Sequence, residues 1–140
     1  MGLRHEAWRR DPAAYPFRTS LQTRYGDLDA NAHLNNIAIS RLFEEARLRF
    51  HMDARRMASG IDPSGVLIAH VAIDYLAEGT YPEDVEATVG VSAIGNRSYR
   101  LALALFQKGQ AIAVAECVMV HRAGLAEGIR AVLDGRRVAA

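Results

Sequence analysis

The chain of 140 residues is half hydrophobic and about a quarter charged, with 17 basic and 16 acidic residues. This length and composition predict one packed domain spanning residues 1–140 rather than a disordered chain. The even charge balance argues against a nucleic-acid or anionic-membrane binder, and the apolar runs are too short for a signal peptide or a membrane-spanning helix.

The single cysteine, Cys117, excludes an intrachain disulfide and a cysteine-based metal cluster. We therefore expect a soluble, cytoplasmic protein. The N-terminal residues 1–15 are polar and contain Pro12, so we expect an N-terminal arm rather than a regular helix there. Residues 17–25 then alternate between apolar and polar side chains, which predicts a β-strand.

The polar stretch RYGDLDANAHLNN follows this strand and leads into a different pattern. From Asn36 onward, apolar residues recur every three to four positions, which predicts an amphipathic helix of roughly five to six turns. We expect this helix to end near Ser59–Gly60. Asn35 or Asn36 is its natural N-cap, because a side-chain oxygen there can accept a hydrogen bond from an otherwise unpaired backbone N–H.

The pattern beyond Pro63 is typical of strands. Residues 66–76 form a nearly continuous apolar run, which predicts a central strand covered on both faces. Three further alternating runs are separated by turn residues at Gly95–Asn96 and at Lys108–Gly109. A strand, a long helix and four strands joined largely by hairpins predict an α+β fold with one antiparallel sheet.

Residues 124–140 form a C-terminal tail, in which a short helix is expected from Gly128. This tail completes the single predicted domain. The chain contains no internal repeat and no linker that would divide it.

The polar stretch before the helix allows three interpretations: a metal-binding loop, a turn that caps the helix, or a catalytic site. Its Asp and Asn residues match the first ligand positions of an EF-hand calcium loop, but Ala32 and Ala38 stand where Gly and a bidentate Glu are required. His33 has no further His or Cys at zinc-binding spacing. The sequence therefore predicts no metal.

Asp and Asn are common in turns, so a turn role is the more frequent one for each residue taken alone. The combination of Asp29, Asn31 and His33 directly before a helix N-terminus is also suited to catalysis. Free N–H groups at a helix start stabilise negative charge, and a neighbouring carboxylate supplies the second part that acyl transfer requires. The residues alone make a hydrolase plausible and leave the capping interpretation open.

The motif DLDANAHLNN, the helical segment FEEARLRF and the hairpin-linked strands resemble the hotdog-fold acyl thioesterases, in particular the 4-hydroxybenzoyl-CoA thioesterase-like group. The Asp-x-Asn-x-His-x-Asn-Asn pattern is also similar to that of plant acyl-ACP thioesterases. The resemblance covers about residues 17–122. It implies a hotdog fold, in which an antiparallel sheet of about five strands wraps around one long helix and two subunits build the active sites at their interface.

The resemblance further implies an acyl-CoA thioesterase that needs no cofactor and forms a homodimer or homotetramer. By position, Asp29 is the general base or nucleophile, Asn31 and His33 support it, and the backbone N–H of Asn36 is the oxyanion donor. The acyl-ACP enzymes carry a Glu-Cys pair where this chain has Ala93–Ile94, and the plant enzymes fuse two hotdog repeats. These departures favour acyl-CoA over acyl-ACP.

Three alternatives remain at this level. The alternatives to an acyl-CoA thioesterase are an acyl-ACP thioesterase, a non-catalytic acyl-CoA-binding module, and a hotdog hydratase that moves water across a double bond. Asp29 discriminates against the binding module, which has no need for a carboxylate at that position. Asp27, although equally acidic, is predicted to structure the loop.

Overall fold

A computed structural model describes residues 2–57 and 66–140. The elements in chain order are β1 (Phe17–Leu21), α1 (Asn36–Met57), β2 (Val66–Tyr75), β3 (Val85–Ile94), β4 (Ser98–Gln107), β5 (Gln110–His121) and α2 (Glu127–Asp134). The five strands form one sheet in the order β1-β3-β4-β5-β2, and every neighbouring pair is antiparallel. The predicted α+β class, with one antiparallel sheet and one long helix, is confirmed.

Helix α1 packs on one face of the sheet, here called the inner face. The predicted apolar period is confirmed, because Ile39, Phe43, Ala46 and Phe50 are all buried. They pack against the inward-facing side chains of the central strands, including Leu101, Leu103, Ala115 and Cys117. Burial of this stripe stabilises the helix on the sheet. The predicted helix end near Ser59–Gly60 lies outside the described residues.

The opposite, outer face of the sheet is covered by the N-terminal segment, residues 2–15. This segment forms short 3-10 turns rather than an α-helix. Tyr15 packs against small and aromatic side chains of β4 and β5. Arg9 is only 4% exposed, and its guanidinium contacts Glu116 of β5 at 3.4 Å and Glu6 at 3.0 Å. The segment therefore belongs to the packed domain.

The strand β2 corrects a prediction. Residues 66–76 were expected to form a central strand covered on both faces, but β2 pairs with β5 and forms one edge of the sheet. Its large apolar side chains are about half exposed in the protomer: Leu67 46%, Ile68 44%, Val71 43% and Tyr75 46%. An apolar run indicates that a strand is to be covered, but it does not indicate whether the cover comes from the same chain.

The β4–β5 hairpin confirms the predicted turn at Lys108–Gly109. Both residues have positive φ, 51° and 78°, as a two-residue turn matching the twist of antiparallel strands requires. Helix α2 begins one residue before the predicted Gly128 and packs against β3 through the buried Leu133. Within the described ranges, no helix has both the length and the apolar character that crossing a bilayer requires.

Candidate active site

The predicted motif forms a tight hairpin between β1 and α1. Leu28 and Leu34 form an antiparallel bridge, and within it the Asp29 N–H donates to the His33 carbonyl at 2.9 Å. The Ala32 N–H donates a hydrogen bond to the Asp29 carbonyl at 3.0 Å, which closes the turn. Ala32 has a left-handed backbone conformation, with φ 61°. A three-residue hairpin loop ends on a residue in this conformation. The hairpin thus fixes the backbone on both sides of Asp29.

The Asp29 carboxylate is held by the backbone of its own hairpin. Its Oδ1 accepts hydrogen bonds from the N–H of Asn31 at 2.9 Å and from the N–H of His33 at 3.3 Å. Both contacts use Oδ1, and Oδ2 has no partner among the described residues. Asp29 and Asn31 are exposed in the protomer. Asp29 can therefore stabilise the turn through Oδ1 while Oδ2 is free to take part in catalysis.

Helix α1 starts directly after this hairpin, and Asn35 rather than Asn36 is its N-cap. Asn35 Oδ1 accepts from the N–H of Ala38 at 2.8 Å, and the Asn35 carbonyl accepts the first helical bond from Ile39 at 3.0 Å. Asn36 is thus the first residue of the helix, as the oxyanion prediction requires. In the described part of the chain, no acceptor contacts the N–H groups of Asn36 and Ile37.

Two backbone contacts attach the hairpin to its surroundings. The Leu34 N–H donates to the Gly79 carbonyl and the Asn35 N–H donates to the Asp27 carbonyl, both at 2.9 Å. Gly79 permits this approach, because a Cβ there would lie 2.7 Å from the Leu34 side chain. Asp27 is 9% exposed and its carboxylate accepts from the N–H of Arg24 at 3.0 Å. Asp27 therefore structures the loop, as predicted.

The His33 ring contacts a residue that the sequence did not reveal. His33 Nε2 lies 3.0 Å from the Glu78 carboxylate, in the segment that follows β2. The other ring nitrogen, Nδ1, is buried and has no hydrogen-bond partner among the described residues. When Nε2 carries the proton that Glu78 accepts, Nδ1 of the neutral ring is left as an acceptor. No sequence signal links positions so distant along the chain.

The site is built from backbone donors, one exposed carboxylate and an imidazole–carboxylate pair. In the described part of the chain, no group of three or more His, Cys, Asp or Glu side chains is arranged to hold a metal ion. The arrangement offers a base or nucleophile beside a helix start with unpaired N–H groups. These are the parts that hydrolysis of an activated acyl group uses.

Comparison with known proteins agrees with this chemistry. The sequence model of the thioesterase-like superfamily matches residues 23–124, which include the hairpin, α1 and strands β2 to β5. The chain belongs to this family. None of the curated proteins compared with the chain matches it.

Solved structures resemble the thioesterase over most of its length. A protein of the thioesterase superfamily from Jannaschia sp. CCS1 is 27% identical, with a TM-score of 0.76, covering 91% of this chain and 89% of that one. A thioesterase from Thermus thermophilus, solved with coenzyme A and Zn, is 25% identical, with a TM-score of 0.77 and coverages of 87% and 94%. A protein from Pseudomonas aeruginosa is 25% identical, with a TM-score of 0.75 and coverages of 92% and 96%.

These matches confirm the resemblance to the hotdog-fold thioesterases and the hotdog arrangement of the sheet and the long helix. The protein is an enzyme that hydrolyses thioesters. The roles of Asp29, Asn31, His33 and Asn36 stay predictions, because the comparisons identify the family and leave its individual catalytic residues unassigned in this chain.

Farther along α1 the thioesterase carries a second polar cluster. His51 Nε2 lies 2.7 Å from the Tyr99 hydroxyl of β4, and Arg47 donates to the Cys117 thiol of β5 at 3.7 Å. Burial, and then the charge of Arg47, lowers the pKa of His51 to about 4. Burial also raises the pKa values of Tyr99 and Cys117. At neutral pH, Arg47 is therefore the charged member of this cluster.

Proposed function

We propose that the enzyme hydrolyses acyl-CoA thioesters, with Asp29 as general base or nucleophile and the backbone N–H of Asn36 as the oxyanion donor. The observation that carries this proposal is the juxtaposition of a carboxylate, oriented by the N–H groups of Asn31 and His33, with a helix start whose first N–H groups have no described acceptor. A purely structural Asx turn accounts for the two hydrogen bonds of Asp29. It leaves the position of the turn beside the free N–H groups unexplained.

The substrate carbonyl would lie against the start of α1. Addition to this carbonyl places negative charge on its oxygen, which the N–H of Asn36 and the positive end of the helix dipole stabilise. Removing one such donor from other acyl-transfer enzymes costs about 3–4 kcal/mol. The helix start is therefore the largest single contribution that this chain supplies to the transition state.

Asp29 has two possible roles in the same geometry. As general base, it accepts a proton from a water molecule whose oxygen forms the new C–O bond, and the C–S bond then breaks. As nucleophile, its carboxylate oxygen attacks the carbonyl, thiolate leaves, and water hydrolyses the resulting mixed anhydride. Because a thiolate is a good leaving group, neither route needs a strong general acid. Asn31 and His33 orient Asp29, the water or the thioester.

The site is completed in our proposal by a second copy of the chain, giving a homodimer or an assembly of such dimers. Strand β2 presents an unpaired edge with half-exposed apolar side chains, including Ile68 and Val71. Such an edge pairs readily with another strand. The segment after β2 supplies Glu78 and Gly79 to the hairpin, so an interface along β2 would adjoin the catalytic residues.

Coenzyme A is the carrier that the observations favour. The Thermus thermophilus thioesterase, which is 25% identical to this chain, was solved with coenzyme A. The Glu-Cys pair expected of an acyl-ACP enzyme is replaced here by Ala93–Ile94. Acyl-ACP therefore enters the test as the competing carrier.

The test is release of free thiol by the purified protein from a panel of acyl-CoA thioesters and from the same acyl groups on acyl carrier protein. We expect turnover of acyl-CoA, with faster turnover on CoA than on the protein carrier. Tight binding of acyl-CoA with no thiol release would instead identify a binding module. Hydration of an enoyl-CoA without thiol release would identify a hydratase. Either result would overturn the proposal.

A further inference from the structure

One face of α1 carries a row of polar residues that begins at the proposed oxyanion site. Ser40, Arg47 and His51 follow Asn36 at spacings of three to four residues or their multiples, so all of them lie on one side of the helix. They flank the apolar stripe of Phe43 and Phe50 that packs on the sheet. None of these polar residues has a part in the proposed hydrolysis beyond Asn36.

Arg47 has a conspicuously weak set of contacts for a guanidinium. It is half-buried, and its described hydrogen bond goes to the Cys117 thiol at 3.7 Å, a weak acceptor. Among the described residues, no carboxylate lies within 4.0 Å of Arg47. By contrast, Arg49 on the same helix pairs with Glu45 at 2.9 Å. Among the described side chains of α1, Arg47 is therefore the half-buried arginine that no carboxylate pairs.

The guanidinium lies beside the open edge of the sheet. Cys117 of β5 is paired directly with Val71 of β2, and directly paired residues of an antiparallel ladder point to the same face. Val71 is 43% exposed although it faces α1. Arg47 thus lies between α1 and the side of the sheet that carries β5 and β2, with the His51–Tyr99 pair one helical turn away.

A second subunit on β2 would withdraw the half-buried Arg47 side chain further from water. A buried charge needs an opposite charge or strong hydrogen bonds to offset its lost hydration. His51 and Tyr99 cannot neutralise Arg47, because burial keeps one a neutral imidazole and the other a neutral phenol at neutral pH. Among the described residues, the protomer supplies no anion for Arg47, so a bound ligand can complete the charge balance.

We propose that Arg47, flanked by His51 and Tyr99, binds a carboxylate at the far end of the acyl group, so that the preferred substrates are thioesters of dicarboxylic acids. This inference rests on the proposed thioesterase site. Arg47 lies about 16 Å along the helix axis from Asn36, and its side chain leans back toward the helix N-terminus. The fitting acyl groups are of medium length, on the order of 10 Å from carbonyl to distal carboxylate.

The test compares substrates that differ only at the far end of the chain. Suberyl-CoA is matched with octanoyl-CoA, and sebacyl-CoA with decanoyl-CoA, for the wild-type enzyme and the variants Arg47→Met, Arg47→Lys and Arg49→Met. We expect the wild type to prefer the dicarboxylic member by roughly 10- to 100-fold in kcat/KM, the range of a charged hydrogen bond. Arg47→Met should abolish this ratio mainly through KM, Arg47→Lys should keep part of it, and Arg49→Met should keep all of it.

Two outcomes would overturn the inference. One is a wild type without preference for the carboxylate. The other is an Arg47→Met variant in which kcat/KM falls equally for both substrates of a pair and the subunits no longer associate. That result would assign Arg47 to an ion pair with a second subunit. If no thioester is hydrolysed, the proposed function fails, and calorimetric affinities for suberyl-CoA and octanoyl-CoA in the wild type and Arg47→Met still decide the role of Arg47.

Discussion

His33 Nε2 lies 3.0 Å from Glu78 Oε2, which joins the predicted catalytic motif to the segment that follows the edge strand β2. The backbone bond from Leu34 to Gly79 makes the same connection one residue further along each segment. The two contacts place the hairpin of Asp29 next to the edge where a second subunit is proposed to pair. Glu78 thus has the position of a residue that orients His33.

We expect Glu78→Ala to lower kcat by roughly tenfold or more, because the His33 ring loses the partner that fixes its orientation. Asp84→Ala, which removes another exposed carboxylate of the same loop, is the matched control and should keep wild-type kcat. Thiol-release kinetics on the single variants and on the double variant with His33→Ala measure the coupling. Strictly additive losses would show that Glu78 does not act through His33.

Asp29→Asn should reduce thioester hydrolysis by about 10³-fold or more, because the amide can serve neither as base nor as nucleophile. The fold should be retained, since the Asn Oδ1 can still accept from the N–H groups of Asn31 and His33. Thermal unfolding checks the fold, and thiol release checks the activity. Turnover close to that of the wild type would remove Asp29 from the mechanism.

Asp27→Asn is the matched control, because it makes the same chemical change two residues away. Asp27 is buried and its carboxylate contacts the N–H and the guanidinium of Arg24. The variant should therefore lose on the order of 1 kcal/mol of stability while its folded fraction keeps turning over substrate. A larger kinetic loss in Asp27→Asn than in Asp29→Asn would reverse the assignment of the two carboxylates.

Local patterns were enough to predict much of this fold. The apolar period from Ile39 to Phe50 identified α1, since a helix on a sheet must bury one stripe. Lys108–Gly109 identified a hairpin, because only a few residue types tolerate the required dihedral angles. The position of Asp29 before a helix start was also predictable, because the motif and the start of the helix lie in one short segment.

The remaining features depend on contacts between distant segments. The apolar run of β2 predicted a covered strand but not its edge position, which is set by pairing with β5. The choice between Asn35 and Asn36 as N-cap needed the geometry of the Ala38 N–H. The Glu78 contact to His33 joins residues that no periodicity relates. Pairing and register, rather than composition, decide each of these cases.

Stability should fall as the pH falls through the range in which His51 titrates in the unfolded chain. Burial lowers the His51 pKa from its ordinary value of 6.5 to about 4 in the folded protein. Between these values the unfolded chain binds a proton that the folded chain does not, so acidification favours unfolding. The loss across this window is on the order of 3 kcal/mol.

Urea unfolding at a series of pH values from about 7 to about 4.5 measures this effect. Arg47 and Tyr99, which face His51, do not change charge in this window. The pKa values of Glu6 and Glu83 are lowered in the folded protein, so these carboxylates change the stability mainly below the ordinary carboxyl pKa of 4.5, the lower end of this pH series. His51→Gln should flatten the dependence, and His5→Gln, at an exposed position, should not. An unchanged slope in His51→Gln would contradict the burial of a neutral imidazole.

Ile68→Glu should shift the protein toward monomers, because it places a charge on the edge strand that is proposed to pair with a second copy. Ile68 is 44% exposed in the protomer, so the substitution leaves the fold of the single chain largely undisturbed. We expect the dimer dissociation constant to rise by roughly 100-fold, and thiol release to fall as the dimer dissociates. Ser20→Glu places the same charge on β1, at the opposite edge of the sheet, and should leave both unchanged. Sedimentation velocity over a dilution series, paired with activity at each concentration, measures both quantities. A fully active monomer of Ile68→Glu would show that the site is complete within one chain.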